Sequence, residues 1–296
     1  MEVIKASAWG MCEGVRRAME MVKEVKAPRE VTIYGELVHN PEIIRELEVK
    51  GFHSLPEENR EKKIKTPYVL ITAHGLSQMG KAKLKGQGKD LIDTTCPLVS
   101  RIHREAQKLQ NAGYFVVILG KPGHVEVRGI TEDLSRYAVV DKVEAARTWI
   151  TEKIGVISQS TLPPSRVPEL LEAIWKLNPG KEIRWVNTIC RPTRDRQHAI
   201  HQLAGQVDML VVVGGLHSNN TLQLAALGRQ LGMRVLQIQS ARELVPHQFE
   251  GIQRVGLTAG TSTPDWVVEE IYQSLTLMNQ GKVFQSSEKE RLVHAS

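Results

Sequence analysis

The chain has 296 residues, of which 41% are hydrophobic, and its 39 Lys and Arg against 33 Asp and Glu give a formal net charge of +6. This balance supports a sizeable core and excludes a disordered chain. No apolar run approaches the roughly 20 residues that span a bilayer, and the first residues lack the pattern of a signal peptide. We therefore expect a soluble cytoplasmic protein without a membrane span. The absence of a Lys/Arg-rich run with interleaved aromatics disfavours nucleic acid as a partner.

Strand-like and helix-like segments alternate along the chain. Short apolar and β-branched runs predict strands, and amphipathic or capped segments between many of them predict helices. Such alternation favours an α/β fold with parallel sheets built from β-α-β units. The polar, aperiodic tail at 281–296 is expected to fray. Apart from the segments on either side of the three cysteines, the predicted strands are 31–34, 68–72, 114–119, 138–141, 154–158, 209–213, 235–238 and 254–258, and the predicted helices are 41–50, 77–85, 164–177, 221–231 and 264–278.

Three cysteines, Cys12, Cys96 and Cys190, are the only thiols in the chain. An odd number in a cytosolic chain argues against a disulfide framework. Each cysteine ends a strand-like run and opens a helix-like one, and Thr193 is expected to cap a helix that runs through Leu203. Such positions lie at the carboxyl edge of a parallel sheet, where ligand sites gather. The three thiols are therefore expected to converge on one centre.

Three histidines, His39, His74 and His124, stand where strand-like runs give way to turns. A lone histidine is more often a structural residue, but three at equivalent strand ends favour a shared site. Glu126 follows His124 closely, and a carboxyl group in an enclosed pocket can act as a proton donor. Spacing alone favours a solvated loop position for Glu126, so both interpretations stay open.

Two turns rich in small polar groups, at 214–220 and 258–264, also follow predicted strands and precede predicted helices. Each can present hydroxyl, amide and backbone N–H donors to an anion at a helix N-terminus. Helix capping alone would explain one Ser or Asn in each turn. Neither a Walker A loop nor a dinucleotide-binding glycine fingerprint occurs, so ATP and NAD are disfavoured as ligands.

Three thiolates are able to hold two kinds of metal centre. Zinc would take a histidine as its fourth ligand, but the C-x-x-C knuckles usual at such sites are absent. An iron–sulfur cluster commonly takes four cysteines, so three would leave one iron open to a substrate. The residues by themselves thus indicate a three-cysteine cluster beside an anion site, and hence a reductase or a dehydratase.

From about residue 3 to residue 278 the sequence resembles the 4-hydroxy-3-methylbut-2-enyl diphosphate reductase (LytB/IspH) family. The order and joint occurrence of its motifs are more specific than any one motif. The segments that carry the resemblance are Gly-Met-Cys-Glu-Gly-Val at 10–15, Val-His-Asn at 38–40, Ala-His-Gly at 73–75, Asp-Thr-Thr-Cys-Pro-Leu-Val at 93–99, Gly-His-Val-Glu-Val at 123–127 and Thr-Ala-Gly-Thr-Ser at 258–262.

The resemblance implies three α/β units, at 14–97, 98–191 and 192–280 with 1–13, in a pseudo-three-fold arrangement around a central 4Fe-4S cluster. The open iron would meet the allylic hydroxyl of the substrate, and two electrons with protons would remove that oxygen as water, leaving isopentenyl and dimethylallyl diphosphate. A flavodoxin or ferredoxin is the implied electron donor, and the enzyme would be a monomer or a loose dimer. The implied site residues are Cys12, Cys96 and Cys190 on the cluster, His39, His74, His124, Ser218, Asn219, Asn220 and Ser262 on the diphosphate, and Glu126 with His124 and Ser160 in catalysis.

Departures from the family pattern cluster at the cofactor and substrate. They leave open a paralogue that reduces another allylic or isoprenoid substrate, beside the diphosphate reductase itself and a non-enzymatic metal or redox-sensing protein. The departures are Ser160 for a usual Thr, Met11 for a usual Phe, Arg191 and Arg194 after the third cysteine, and Gly-Gly-Leu-His-Ser-Asn-Asn at 214–220 for the usual Gly-Ser-x-Asn-Ser-Ser-Asn, in which Asn219 replaces a phosphate-facing serine.

Overall fold

Three four-stranded sheets, each wholly parallel, make up the strands of a computed structural model that describes residues 1–279. The predicted tail at 281–296 lies outside these residues. The strands are β1 (Glu2–Lys5), β2 (Val31–Tyr34), β3 (His53–Leu55), β4 (Tyr68–Ile71), β5 (Asp90–Asp93), β6 (Phe115–Leu119), β7 (Tyr137–Val140), β8 (Lys153–Ser158), β9 (Glu182–Trp185), β10 (Met209–Val213), β11 (Arg234–Ile238) and β12 (Arg254–Ala259).

Nine α-helices connect or flank these strands in the described part of the chain. None of them is long and apolar enough to cross a lipid bilayer. The helices are α1 (Glu13–Lys23), α2 (Pro41–Val49), α3 (Gln78–Gly86), α4 (Pro97–Asn111), α5 (Val125–Thr131), α6 (Val167–Leu177), α7 (Arg191–Leu203), α8 (Asn219–Gln230) and α9 (Asp265–Asn279).

One strand order occurs three times. The sheets read β3-β2-β4-β5, β7-β6-β8-β9 and β11-β10-β12-β1, so the N-terminal strand β1 completes the third sheet in the place that β5 and β9 take in the others. The predicted α/β fold of three parallel-sheet units is therefore confirmed. Strands β1 and β3 were not predicted, because they are short edge strands whose residues are mostly half-buried or exposed.

Central strands of these sheets are continuous apolar runs. Strand β6 reads Phe-Val-Val-Ile-Leu and β10 reads Met-Leu-Val-Val-Val, because a central strand of a parallel sheet is covered on both faces. Helix α4 buries one face, formed by Val99, Ile102, Ala106 and Leu109. Three of these residues join the core that packs against β6. Continuous apolar runs thus predicted the central strands, and apolar periodicity predicted the long helices.

Contacts within the chain divide it into two compact units. One contains Met1–Cys12, His39–Lys50 and residues 195–279, and therefore the sheet formed by β1 and β10–β12. The other contains Glu13–Val38 and Gly51–Arg194, and therefore the sheets β2–β5 and β6–β9. The segment that carries His39 and α2 thus groups with the first unit, although the strands on either side of it belong to the second.

One predicted helix cap was wrong, and one helix was not predicted. Helix α7 begins at Arg191, so Thr193 lies inside its first turn, fully buried, instead of capping it. Helix α5, which begins at Val125, was not predicted, because seven residues are too few to show helical periodicity. Helix α5 carries Glu126, which therefore does not lie in a loop.

Candidate functional site

The three cysteines occupy equivalent places in the three sheets. Each follows the edge strand β5, β9 or β1, although β1 ends at Lys5, well before Cys12, and not directly before it as predicted. Each cysteine donates its backbone N–H to the carbonyl of the second residue beyond the neighbouring strand. The pairs are Cys96 with Ala73 at 3.1 Å, Cys190 with Ser160 at 3.0 Å and Cys12 with Thr261 at 3.0 Å.

Each cysteine also stands directly before a helix. Cys96 is the N-cap of α4, while Cys12 and Cys190 immediately precede α1 and α7. None of the three cysteines forms a disulfide and all three are half-buried, and the sulfur of Cys190 lies 3.1 Å from the hydroxyl of Thr193. The first turn of a helix presents backbone N–H groups without helical partners, and hydrogen bonds to sulfur tune iron–sulfur clusters. The donor set therefore fits a sulfur-ligated iron cluster.

The zinc alternative needs three thiolates and one histidine around a single ion. Within residues 1–279, no group of three or more His, Cys, Asp or Glu side chains is arranged to hold one metal ion.

Glu126 is a buried acid held by one serine. Its side chain is 2% exposed, and its two oxygens accept hydrogen bonds from the Ser160 backbone N–H and hydroxyl, both at 2.6 Å. Burial raises the pKa of Glu126 above its ordinary value, and the two Ser160 hydrogen bonds oppose that rise only in part. Glu126 is therefore suited to hold a proton at a pH where an exposed glutamate has lost it.

His124 and His74 lie beside this acid in the same compact unit. His124 caps α5, because its Nδ1 accepts the backbone N–H of Glu126 at 3.2 Å. The ring of His74, just beyond β4, meets the His124 ring edge-on with centroids 6.0 Å apart. A path of short contacts thus joins two cysteines through the predicted catalytic residues. Its steps are Cys96 to Ala73, His74 to His124, His124 to Glu126, Glu126 to Ser160 and Ser160 to Cys190.

The other unit gathers polar groups around Asn220. The Asn220 carbonyl oxygen accepts the backbone N–H of Thr261 at 3.0 Å, which places its amide N–H₂ on the opposite side. That buried amide nitrogen has no hydrogen-bond partner among the described residues, so it is a donor available to an anion. Thr261 also accepts the N–H of Cys12, so Cys12 and Asn220 share one backbone contact.

The remaining predicted residues of this unit lie close by. Ser218 caps α8 by accepting the N–H of Thr221 at 3.5 Å, and Asn219 is the first residue of that helix. The Ser262 hydroxyl donates to the backbone carbonyl of His39 at 3.3 Å, which brings the His39 segment to the turn after β12. The N-terminus of α8 and the turn after β12 together offer hydroxyl and amide donors of the kind that bind phosphate oxygens.

A family model described as "LytB protein" matches residues 3–276. The chain belongs to the LytB family. The family is one of iron–sulfur oxidoreductases, and the resemblance drawn from the sequence motifs is confirmed.

Three curated relatives of this LytB chain carry the name "4-hydroxy-3-methylbut-2-enyl diphosphate reductase". The protein from Caldanaerobacter subterraneus subsp. tengcongensis is 34% identical, over 93% of this chain and 96% of its own length. The protein from Geotalea uraniireducens is 35% identical, over 95% and 99%. The protein from Aquifex aeolicus is 32% identical, over 97% and 100%. The likeness therefore spans nearly the full length of both partners.

Solved structures show the same fold. A structure of E-1-hydroxy-2-methyl-but-2-enyl-4-diphosphate reductase from Plasmodium falciparum superposes with a TM-score of 0.85 over 96% of this chain and 91% of its own, at 24% identity. A structure of (E)-4-hydroxy-3-methyl-but-2-enyl diphosphate reductase, described as the terminal enzyme of the non-mevalonate pathway, gives 0.65 over 93% and 99%, at 32% identity. The three-sheet α/β fold is thus the fold of LytB structures.

Gly215 lies against the backbone of the His39 segment. A Cβ atom added at Gly215 would lie 2.7 Å from the backbone carbonyl oxygen of His39. We expect Gly215→Ala to lower the free energy of unfolding by about 1–3 kcal/mol, as overpacking of a close contact does. Chemical denaturation of both proteins measures this difference.

Gly86→Ala is the matched control for this prediction. No atom lies within 4 Å of a Cβ atom at Gly86, which ends α3, so we expect a change near zero or a slight stabilisation. Equal stability of the Gly215 variant and the parent would contradict the steric argument.

Proposed function

We propose that the chain reduces 4-hydroxy-3-methylbut-2-enyl diphosphate to isopentenyl and dimethylallyl diphosphate. The observation that carries the proposal is the buried Glu126–Ser160 pair, because Ser160 holds the Glu126 carboxyl group and also accepts the backbone N–H of Cys190. The full-length likeness to reductases of that name supports the same substrate. It favours this substrate over the paralogue hypothesis drawn from the departures.

The proposed cofactor is a 4Fe-4S cluster held by Cys12, Cys96 and Cys190. The equivalent backbone hydrogen bonds of the three cysteines, their reduced state and their positions before helices support this ligand set. When bound, such a cluster supplies electrons one at a time and a Lewis-acidic iron with no protein ligand.

The overall reaction needs two electrons and two protons for each substrate molecule. The allylic C–O bond breaks, the oxygen leaves as water, and a C–H bond forms on the allyl group. Glu126 is the proposed donor of the proton that reaches the leaving oxygen, with its carboxyl group oriented by Ser160.

The diphosphate end of the substrate is the proposed ligand of the polar groups that follow the strands. His39, His74 and His124 offset phosphate charge, and the buried Asn220 amide supplies a donor that has no partner in the described chain. The other proposed diphosphate ligands are Ser218, Asn219 and Ser262.

An acidic flavodoxin or ferredoxin is the proposed source of electrons. The net charge of +6 favours association with an acidic carrier. The enzyme is proposed to act as a monomer in the cytoplasm.

Turnover under anaerobic conditions tests the proposal. Protein purified without oxygen is supplied with dithionite-reduced methyl viologen and the allylic diphosphate, and products are identified by mass spectrometry. We expect both five-carbon diphosphates together with substrate loss. A preparation that contains four irons per chain and consumes no substrate rejects the proposed function. Failure to rescue a bacterium that lacks this reductase, with turnover of another allylic substrate, would instead favour the paralogue.

A further inference from the structure

Two acidic residues just beyond α5 hold the N-terminal end of α3. The Ser77 hydroxyl donates to the Glu132 carboxylate at 2.6 Å. The backbone N–H groups of Gln78 and Met79 donate to the two oxygens of Asp133, at 2.7 and 3.1 Å. We refer to Glu132 and Asp133 as the acidic clamp. All of these residues lie in the same compact unit.

The acidic clamp joins the two elements that carry His74 and His124. His74 lies in the turn that leads to Ser77, and a hydrogen bond of 3.0 Å from Gly75 N–H to the Thr72 carbonyl keeps that turn tight. His124 caps the N-terminal end of α5, and the acidic clamp follows the C-terminal end of the same short helix. The clamp and the ring contact of 6.0 Å between the histidines therefore span the same pair of elements. A displacement of α3 relative to α5 would change the separation of the two rings.

The geometry makes Asp133 the stronger half of the clamp. Its carboxylate accepts two backbone N–H groups at the N-terminus of a helix, where negative charge is favoured. Its backbone carbonyl is held in turn by the Gln107 side chain at 2.8 Å. Asp133 and Gln78 also line an open cavity of about 490 Å³, so the Asp133 side chain is not tightly enclosed.

We propose that Asp133 is a positioning residue that fixes His74 against His124 for binding of the diphosphate end of the substrate. The proposal rests on the proposed function, because it assigns a purpose to the histidine pair. Asp133 acts through the turn that carries His74, and its own carboxylate is committed to the backbone of α3.

Asp133→Asn tests the proposal with little change of shape. The amide keeps one acceptor, but its N–H₂ group faces a backbone N–H and the negative charge is lost. We expect KM for the allylic diphosphate and Kd for inorganic diphosphate to rise about 10-fold, with kcat within about 3-fold of the parent, the scale of one lost charged hydrogen bond. We also expect the ring-proton NMR signals of His74 and His124 to shift.

Asp208→Asn is the matched control. Asp208 accepts the backbone N–H groups of Gln253 and Arg254, at 3.0 and 2.8 Å, in the other compact unit. Both variants lose a carboxylate that binds two backbone N–H groups, so both should lower the unfolding temperature. Only Asp133→Asn should change diphosphate binding and the histidine signals.

If Asp133→Asn has the KM, Kd and histidine signals of the parent, the proposal is overturned. Equal changes of these quantities in Asp133→Asn and Asp208→Asn also overturn it. Should Asp133→Asn not fold, Ser77→Ala removes the Glu132 bond from the same place and should raise Kd in the same direction. A parental Kd in that variant also overturns the proposal. Binding and NMR changes in a protein without reductase activity would refute the proposed function and leave the positioning role supported.

Discussion

Replacement of Cys96 by serine is expected to abolish iron–sulfur binding and reductase activity together. A hydroxyl group is a poor ligand for a cluster that is held by thiolates. Cys96 is the N-cap of α4 and its N–H is tied to Ala73, so the backbone that presents the side chain should survive the change. Iron and acid-labile sulfide per chain, with visible absorbance and turnover, measure the result.

Ser100→Ala is the control for the Cys96 variant. Ser100 lies one turn further along α4, where its N–H donates to the Cys96 carbonyl at 2.9 Å, and the change keeps that backbone bond. We expect this control to retain its cluster. Full iron content and parental turnover in Cys96→Ser would show that the ligand assignment is wrong.

Glu126→Gln is expected to keep the cluster and slow turnover by about 100-fold or more, the size of a lost general acid. Glutamine has the shape of glutamate and still accepts a hydrogen bond from Ser160, but it holds no transferable carboxyl proton. Steady-state kcat and the iron content of the same preparation measure the two effects separately.

Glu172→Gln is the control for the Glu126 variant. Glu172 is exposed on α6 and pairs with Lys176, so its loss should leave turnover at the parental rate. Ser160→Ala should slow the reaction by less than Glu126→Gln, because it removes an orienting bond and leaves the acid. Equal rates for Glu126→Gln and the parent would remove Glu126 from the mechanism.

The buried acid also predicts how stability depends on pH. Burial raises the pKa of Glu126 in the folded chain, so the folded state holds this proton more tightly than the unfolded state. The resulting stabilisation is complete below the ordinary glutamate pKa and is lost as pH rises through the raised pKa. Urea unfolding across that pH range should show the parent losing stability relative to Glu126→Gln. A difference independent of pH would contradict the raised pKa.

Much of the fold could be predicted because its central strands carry their own signal. Continuous apolar runs such as β6 and β10 indicate strands that are buried on both faces. In long amphipathic helices such as α4, the spacing of apolar residues indicates which face packs against the core. Short elements carry no such signal. Strand β3, with three residues, and helix α5, with seven, are stabilised by contacts with neighbouring elements. Sequence periodicity contains no information about those contacts.

The candidate site was predicted unevenly for a related reason. Cysteines and histidines at strand ends are visible as residue types, but the burial of Glu126 is created by residues distant in sequence, Ser160 above all. The backbone carbonyls of Ala73 and Thr261 accept the N–H groups of Cys96 and Cys12. Backbone contacts of this kind do not depend on residue type, so the sequence does not predict them. Asp133 likewise resembles any acidic residue after a helix until its two backbone partners are known.

The pairing of β1 with β12 in the third sheet imposes an order on folding. Residues Glu2–Lys5 pair with Arg254–Leu257, so β1 can join its sheet only after a strand about 250 residues further along the chain has been made. Closing so long a loop is slow compared with forming local contacts. Until then the segment that leads to Cys12 has no neighbouring strand to pair with. The proposed cluster is therefore expected to assemble only after the strand near residue 254 has been made.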